Sequence, residues 1–121
     1  MKTYKVLIIG GGITGSACMY YLVKNGMKNV ILLEKDYYSS GSTGRCGGGI
    51  RQQWTTEANV KLAMRSVKHF EKFEKEMDFN FDYKQKGYLL LAFTEKEVED
   101  FKKNIKMQKK LGLKVDLITP K

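Results

Sequence analysis

A glycine-rich turn follows the first apolar segment of the chain. Val6-Leu7-Ile8-Ile9 runs directly into Gly10-Gly11-Gly12-Ile13-Thr14-Gly15, and a second apolar segment ends at Glu34. This is the pattern G-x-G-x-x-G, with an acid about twenty residues beyond the last glycine. It predicts a βαβ unit with a strand over 4–9, a helix over 13–24, a turn at Asn25-Gly26 and a parallel strand over 30–34.

Each glycine of this pattern has a separate task. Gly10 allows a tight turn, Gly12 allows a pyrophosphate to approach the backbone, and Gly15 allows the helix to pack close to the sheet. The phosphates then meet the amides and the positive end of the helix, and Glu34 can accept hydrogen bonds from ribose hydroxyls. The pattern therefore predicts a dinucleotide site. A turn whose glycines serve only packing is the alternative, but it explains Gly15 and not all three.

The same segment could also be a secretory signal peptide, since Met1–Lys5 is basic and Val6–Leu22 carries no charge. Glycines interrupt that apolar stretch, and a signal peptide gives no reason for a second strand ending in Glu34. We therefore expect a cytoplasmic protein. No stretch is long and apolar enough for us to expect a membrane span.

The chain has 121 residues, enough for one domain, and a formal net charge of +9. A basic protein can bind nucleic acid or acidic membranes. Here, however, many lysines share one predicted helix with acids in its first turns, which suits the helix dipole. No basic platform interleaved with aromatic residues is present. We expect no nucleic-acid partner.

The cysteines and the single histidine do not form a metal-binding pattern. Cys18 and Cys46 have no metal-ligand spacing. We expect Cys18 to pack inside the first helix and Cys46 to lie near a ligand or to be a reduced cytosolic thiol. His69 is expected at the surface of a helix, so no histidine-based metal site is predicted.

Residues 37–51 are rich in glycine and serine and lack hydrophobic periodicity. A solvent-exposed loop is the simplest interpretation. The part from 41 to 51 nevertheless has few bulky side chains, two arginines and many exposed amides. Such a segment can wrap closely around an anionic or planar ligand, and we favour that role.

The second half of the chain has a different pattern. A helix should begin after Thr55 or Thr56 and reach Met77, with an apolar stripe on one face. Strands are predicted over 79–83 and 87–93 as a hairpin. A capping box from Thr94 to Glu97 should start a helix that ends before Gly112, followed by a strand over 114–118. We expect the domain boundary near 78, giving 1–78 and 79–121, although no Pro- or Gly-rich linker marks it.

With these motifs placed, the chain resembles the FAD-dependent amine oxidoreductases of the D-amino-acid oxidase superfamily. The similarity is strongest to the sarcosine oxidase β-subunit, proline dehydrogenase and glycine oxidase group. It is carried by Gly10–Glu34, by Gly41-Ser42-Thr43-Gly44-Arg45-Cys46-Gly47-Gly48-Gly49-Ile50-Arg51 and by Lys86-Gly87-Tyr88-Leu89-Leu90-Leu91. The resemblance implies an α/β fold: a Rossmann-like FAD-binding βαβ unit, then the start of an α+β substrate domain. It covers only the N-terminal portion of such enzymes.

The resemblance also assigns roles by position. The FAD pyrophosphate site would be shaped by Gly10, Gly12, Ile13, Thr14 and Gly15, and the adenosine ribose would lie at Glu34 with Lys35 beside it. Ser42, Thr43, Gly44 and Arg45 would contact the phosphates and ribityl chain, and Gly47, Gly48 and Gly49 would pass close to the flavin ring. Arg51 would face the substrate carboxylate, in keeping with bidentate binding by a guanidinium. Its alternative is an ion pair with an acid elsewhere or with a phosphate.

By resemblance, the activity is oxidation of the C–N bond of a small amino acid or secondary amine such as sarcosine, glycine or proline, with hydride transfer to flavin. No catalytic residue can be named in the sequence, and we expect little turnover by the 121-residue chain alone. One alternative is a truncated or split non-catalytic nucleotide-binding subunit that needs a partner chain or the missing C-terminal region. Another is an NAD-linked enzyme, because Glu34 suits either ribose, but the 41–51 loop favours FAD.

Overall fold

Two strands and a helix form the first part of the chain in the computed structural model, which describes residues 3–119. Strand β1 (Val6–Ile9) is followed by helix α1 (Ile13–Lys24) and strand β2 (Val30–Leu33). The two strands pair in parallel, with Val6 opposite Val30 and Ile9 opposite Leu33. The predicted βαβ unit is therefore confirmed, with each strand shorter than predicted.

Helix α1 ends at the predicted turn. The Asn25 side chain donates to the carbonyl of Tyr21 at 2.7 Å, and Gly26 has a φ of 84°, a left-handed conformation that glycine adopts without strain. One prediction about α1 is wrong: the Cys18 thiol is exposed. The sequence placed it in the core because small thiols are commonly buried, but no element covers this face of the helix among residues 3–119.

Two helices form the regular structure of the second part. Helix α2 covers Glu57–Met77, and the hydroxyl of its N-cap Thr56 accepts a hydrogen bond from the Asn59 amide. Helix α3 covers Glu95–Lys110 and begins with the predicted capping box between Thr94 and Glu97.

Helix α3 ends in a Schellman motif. The Gly112 amide donates to the Lys109 carbonyl, and the Leu113 amide donates to the Gln108 carbonyl. Gly112 has a φ of 86°, which explains why glycine ends this helix.

The buried core is small. Among residues 3–119, the buried apolar side chains are Val60, Val67 and Leu113, and only Val60 is fully inaccessible. The aromatic side chains of α2 extend this core along one face: Phe73 makes an edge contact with Phe81 at 5.5 Å between ring centroids. His69, predicted at the surface, is instead half-buried, with its ring 5.4 Å from that of Phe73.

The three strands predicted after α2 are not formed within residues 3–119. The amides of Phe81 and Tyr83 donate to the Glu74 carboxylate of α2, and Asp82 has a φ of 59°, which breaks the extended conformation. In the segment over 79–83, hydrogen bonds to the Glu74 side chain therefore stand where strand pairing was predicted.

The segment over 87–93 forms no strand among the described residues. Its exposure alternates as in a strand: Leu89 and Leu91 are 63% and 62% exposed, and Leu90 between them is 36% exposed. Alternation signals an extended chain with two different faces, whereas a strand also requires a hydrogen-bonded neighbour. The segment over 114–118 likewise forms no ladder.

The chain divides into two compact units, one reaching to Gly49 and one starting at Ile50. The predicted domain limits of 1–78 and 79–121 concern a different property, namely which residues belong to the FAD-binding domain, and stay a proposal. In this chain α2 packs with α3 in the second unit.

The capping box of α3 gives a stability prediction. Replacing Thr94 by Ala removes the hydroxyl that accepts from the Glu97 amide at 3.2 Å. We expect the free energy of unfolding to fall by about 1 kcal/mol, measured by urea denaturation at pH 7. Thr55→Ala, at an exposed threonine, is the matched control and should have a smaller effect.

The same variant should show a defined pH dependence. Hydrogen bonds from the Phe93 amide and from Thr94 lower the pKa of Glu97 below its ordinary value of 4.5. A lowered pKa in the folded state stabilises the protein above the unfolded pKa, and that contribution is lost as the pH falls through the folded value. The stability difference between wild type and Thr94→Ala should therefore shrink below pH 4.5; a constant difference from pH 7 to pH 3 would contradict this.

Candidate functional site

The glycine turn brings the first turn of α1 very close to the backbone that follows β1. The Gly10 amide donates to the Leu33 carbonyl at 2.8 Å, so the turn leaves the sheet beside the end of β2. Gly10 has a φ of 106°, which favours glycine. A Cβ added to Gly15 would collide with the Gly10 carbonyl oxygen. The first turn of α1 can therefore approach the strand this closely only with glycine at 15.

The start of α1 carries amide donors that the protein itself does not use. The N-cap is Gly12, which has no capping side chain, and the first turn contains no acid. The Ile13 amide donates to the Thr43 hydroxyl at 3.0 Å. Within residues 3–119, the amides of Gly12, Thr14 and Gly15 have no protein acceptor. Free amides at the positive end of a helix dipole are suited to an anion such as a phosphate.

The Glu34 carboxylate lies at the end of β2 and contacts the glycine turn. Its Oε2 accepts from the Gly11 amide at 2.6 Å, and its Oε1 accepts from the Asp36 amide at 3.1 Å. These two hydrogen bonds, chiefly the one from Gly11, lower the pKa of Glu34, so the group is ionised at neutral pH. Each carboxylate oxygen retains lone-pair capacity, which allows the group to accept further hydrogen bonds from hydroxyls.

The loop after β2 folds back onto the glycine turn. The Ser39 amide donates to the Gly11 carbonyl at 3.1 Å, and the Gly44 amide donates to the Ser39 carbonyl at 2.9 Å. A Cβ on Gly44 would collide with that Ser39 carbonyl oxygen. Thr43 is thereby brought 3.0 Å from the amide of Ile13.

Of the residues predicted to hold the cofactor, the structure brings together Gly10, Gly12, Ile13, Thr14, Gly15, Glu34, Thr43 and Gly44. The others are exposed and, within the described chain, make no hydrogen bond to the turn: Lys35, Ser42, Arg45, Gly47, Gly48 and Gly49. The ligand-binding roles of both groups stay predictions. Cys46 is exposed and its thiol donates to the Thr43 carbonyl at 3.1 Å.

Two contacts of the turn were not anticipated from the sequence. Tyr38 lies against Gly11, where a Cβ would come within 2.8 Å of its ring. The backbone of Ser39 links to both Gly11 and Gly44. No motif marks these residues, because their role depends on how the loop folds back.

Arg51 belongs to the second compact unit. Its guanidinium carbon lies 4.1 Å from the centre of the Trp54 ring, and the Trp54 indole donates to the Arg51 carbonyl at 3.3 Å. Within residues 3–119 no carboxylate forms an ion pair with it, so the predicted alternative of an acid partner is not observed there. Arg51 lines an open cavity of about 1090 Å³ within the second unit.

Two other classes of site were tested over the described part of the chain. No cluster of His, Cys, Asp and Glu there could hold a metal ion. No helix there has the length and apolar character required to cross a bilayer.

Comparisons with known proteins agree with this geometry. The family described as FAD dependent oxidoreductase (DAO) matches residues 5–121. Sarcosine oxidase subunit beta from Arthrobacter sp is 34% identical over 98% of this chain and 30% of that protein. Mitochondrial dimethylglycine dehydrogenase from Homo sapiens is 37% identical over 81% of this chain and 11% of that protein.

The crystal structure of L-proline dehydrogenase from P. horikoshii superposes with a TM-score of 0.80 and 45% identity, covering 92% of this chain and 29% of that one. This similarity and the parallel βαβ unit confirm the predicted α/β fold class. The chain spans less than a third of the length of these relatives. Because the family match covers nearly the whole chain, the chain belongs to the DAO family of FAD dependent oxidoreductases, whose cofactor is FAD.

Proposed function

We propose that this chain forms the N-terminal, FAD-binding part of a flavin-dependent oxidoreductase that oxidises the C–N bond of a small amino acid or secondary amine, such as sarcosine, glycine or proline. The observation that carries the proposal is the glycine turn, where three amides without acceptors among residues 3–119 follow Gly11, whose own amide donates to the Glu34 carboxylate. Relatives named sarcosine oxidase and L-proline dehydrogenase support the substrate class.

The donors and acceptors at the turn match the two halves of a dinucleotide. The amides of Gly12, Thr14 and Gly15 suit the pyrophosphate, and Glu34 suits the hydroxyls of the adenosine ribose. Bound FAD supplies the redox chemistry, and the protein supplies binding and orientation.

The loop after β2 adds a further donor. The Thr43 hydroxyl oxygen accepts from the Ile13 amide, so its hydrogen is available to an anionic oxygen. We propose that Ser42, Gly44 and Arg45 share this contact with the phosphates and ribityl chain. Gly47, Gly48 and Gly49 would then follow the flavin ring, which suits residues without side chains.

Arg51 is proposed to bind the substrate carboxylate. Two observations support this role: no acid pairs with it among the described residues, and it lines a cavity. A guanidinium offers two parallel N–H donors to a carboxylate, which fixes its orientation as well as its position.

A second candidate function is a non-catalytic nucleotide-binding subunit that needs a partner chain or a C-terminal region. The exposed apolar side chains of the two-stranded sheet favour it: Ile9 is 83% exposed, Leu7 is 54% exposed and Leu33 is 50% exposed. Such a surface is characteristic of an interaction site. We also propose a cytoplasmic location, where the two free thiols would remain reduced.

Expression of the chain alone and together with its downstream coding region tests the proposed function. We expect a yellow protein with a flavin absorption spectrum from the longer form, amine-dependent bleaching of that spectrum, and little turnover by the chain alone. A colourless longer protein that binds NADH would overturn the FAD assignment. A yellow longer protein that no amino acid or amine reduces would favour the non-catalytic candidate.

Gly15→Ala should disrupt flavin binding. The added methyl group collides with the Gly10 carbonyl, and accommodating it must shift the turn that presents the amides. We expect FAD to bind at least roughly tenfold more weakly. The affinity is measured by quenching of FAD fluorescence, with the substitution made in whichever of the two expressed forms binds FAD. Gly41→Ala is the matched control, because a Cβ there meets no atom within 4 Å. Equal affinity of both variants would contradict the role of the close turn.

Glu34→Gln should weaken FAD binding about tenfold, the expected cost of losing a hydrogen bond to a charged group. Flavin mononucleotide lacks the adenosine ribose, so its affinity should change little. Calorimetric titration with both flavins separates the two effects. An equal loss for both would show that the substitution damages the turn through the Gly11 contact, and would argue against a ribose contact.

A further inference from the structure

Arg51 and Trp54 form a pair whose geometry is fixed from several sides. The guanidinium carbon lies 4.1 Å from the centre of the indole ring. We propose that Trp54, held in place by Gln108, is a positioning residue that presents the Arg51 guanidinium to a carboxylate ligand. This inference rests on the proposed carboxylate-binding role of Arg51 and extends it to two residues with no assigned role.

The ring contact leaves the donors of Arg51 available. All N–H groups of a guanidinium lie in its plane, so a ring against one face blocks none of them. The ring also attracts the positive charge, and this attraction is stronger where water is excluded. An aromatic ring can therefore hold the charge without competing for its hydrogen bonds, whereas a carboxylate partner would occupy them.

Trp54 is itself held at two points. Its indole N–H donates to the Arg51 carbonyl at 3.3 Å, which closes a short loop between the two residues. Its own carbonyl accepts from the Gln108 side-chain amide at 2.8 Å. Gln108 lies on α3 and is only 3% exposed. A buried amide is costly unless it is hydrogen-bonded, so this contact ties the short 51–54 segment firmly to α3.

A third contact fixes the same segment from another side. The Gln53 side chain donates to the Tyr88 carbonyl at 2.8 Å. Residues 51–54 have no regular secondary structure, so these side-chain hydrogen bonds are what fixes their backbone. Arg51, Gln53, Trp54 and Tyr88 line the same cavity, together with apolar side chains such as Leu90 and Ile105.

As a consequence, the Arg51 guanidinium is ordered in advance, and Arg51 lines a cavity with apolar side chains. A free arginine side chain has considerable rotamer entropy, and ordering it at the moment of binding subtracts from ligand affinity. The contacts of Trp54 order Arg51 before a ligand arrives. Removing the ring should therefore weaken carboxylate binding although the charge is unchanged.

Nuclear magnetic resonance of the Arg51 side chain tests the pair directly. The Arg51 Nε–H signal, assigned by its loss in Arg51→Lys, should be shifted upfield by the indole ring current in the full chain. Titration with L-proline should move this signal to saturation, and titration with L-prolinamide, which lacks the carboxylate, should not. Arg51→Gln should abolish saturable proline binding, as followed through neighbouring backbone amides.

The variants separate positioning from charge. We expect Trp54→Leu to weaken proline binding at least fivefold and Trp54→Phe, which keeps an aromatic face, to recover part of the loss. Gln108→Leu should fall between wild type and Trp54→Leu. Phe93→Leu is the matched control, because Phe93 is an aromatic residue of the same unit that is 83% exposed, and it should bind as wild type does.

Different results would overturn the positioning role of Trp54 and the carboxylate-binding role of Arg51. Wild-type affinity for proline in Trp54→Leu, or an Arg51 signal without a ring-current shift, would overturn the positioning role and leave carboxylate binding by Arg51 intact. Equal responses to proline and prolinamide in the wild-type chain would overturn the carboxylate role of Arg51, and the positioning role with it. If Trp54→Leu fails to fold by circular dichroism, Trp54→Phe and the wild-type ring-current shift decide.

Discussion

The hydrogen bond from the Gly11 amide to the Glu34 carboxylate, at 2.6 Å, is the contact on which the first unit depends. It ties the turn after β1 to the end of β2, so the amides of the turn and the Glu34 carboxylate occupy fixed places relative to each other. In the proposed site this single carboxylate would have two duties: it supports the turn, and its remaining lone pairs would accept hydrogen bonds from the ribose. This is why the acid must stand at the carboxyl end of the second parallel strand.

The second unit is held together by a different kind of contact, namely hydrogen bonds between side chains and the backbone. Among its described residues the regular structure consists of two helices, and the segments outside them are fixed by hydrogen bonds that involve the side chains of Gln53, Glu74 and Gln108. Such contacts define local geometry well but bury little apolar surface. The unit can therefore hold one arginine in a defined orientation without a sheet behind it.

Local sequence signals predicted the first unit and the helix limits well. The apolar segments, Gly10–Gly15, the Thr94–Glu97 capping box and Gly112 each act through neighbours within a few residues, so their consequences can be derived from the sequence. The strands predicted after α2 required partners at long range. The exposures of Leu89, Leu90 and Leu91 alternate, but no local pattern reveals whether a neighbouring strand is present, and the strand predicted over 87–93 does not form among the described residues. Trp54 and Gln108 were missed for the same reason, because 54 residues separate them in the sequence.

The small core has a thermodynamic consequence for how the protein keeps its fold. With Val60 as the only fully buried apolar side chain among the described residues, the folded state gains little from apolar burial alone. A ligand that binds only the folded state then shifts the folding equilibrium by mass action, by about 2.7 kcal/mol when its free concentration is a hundred times its dissociation constant. For these 121 residues taken alone, the folded fraction would then rise with the concentration of FAD, the proposed ligand, which would contribute to stability as buried side chains do.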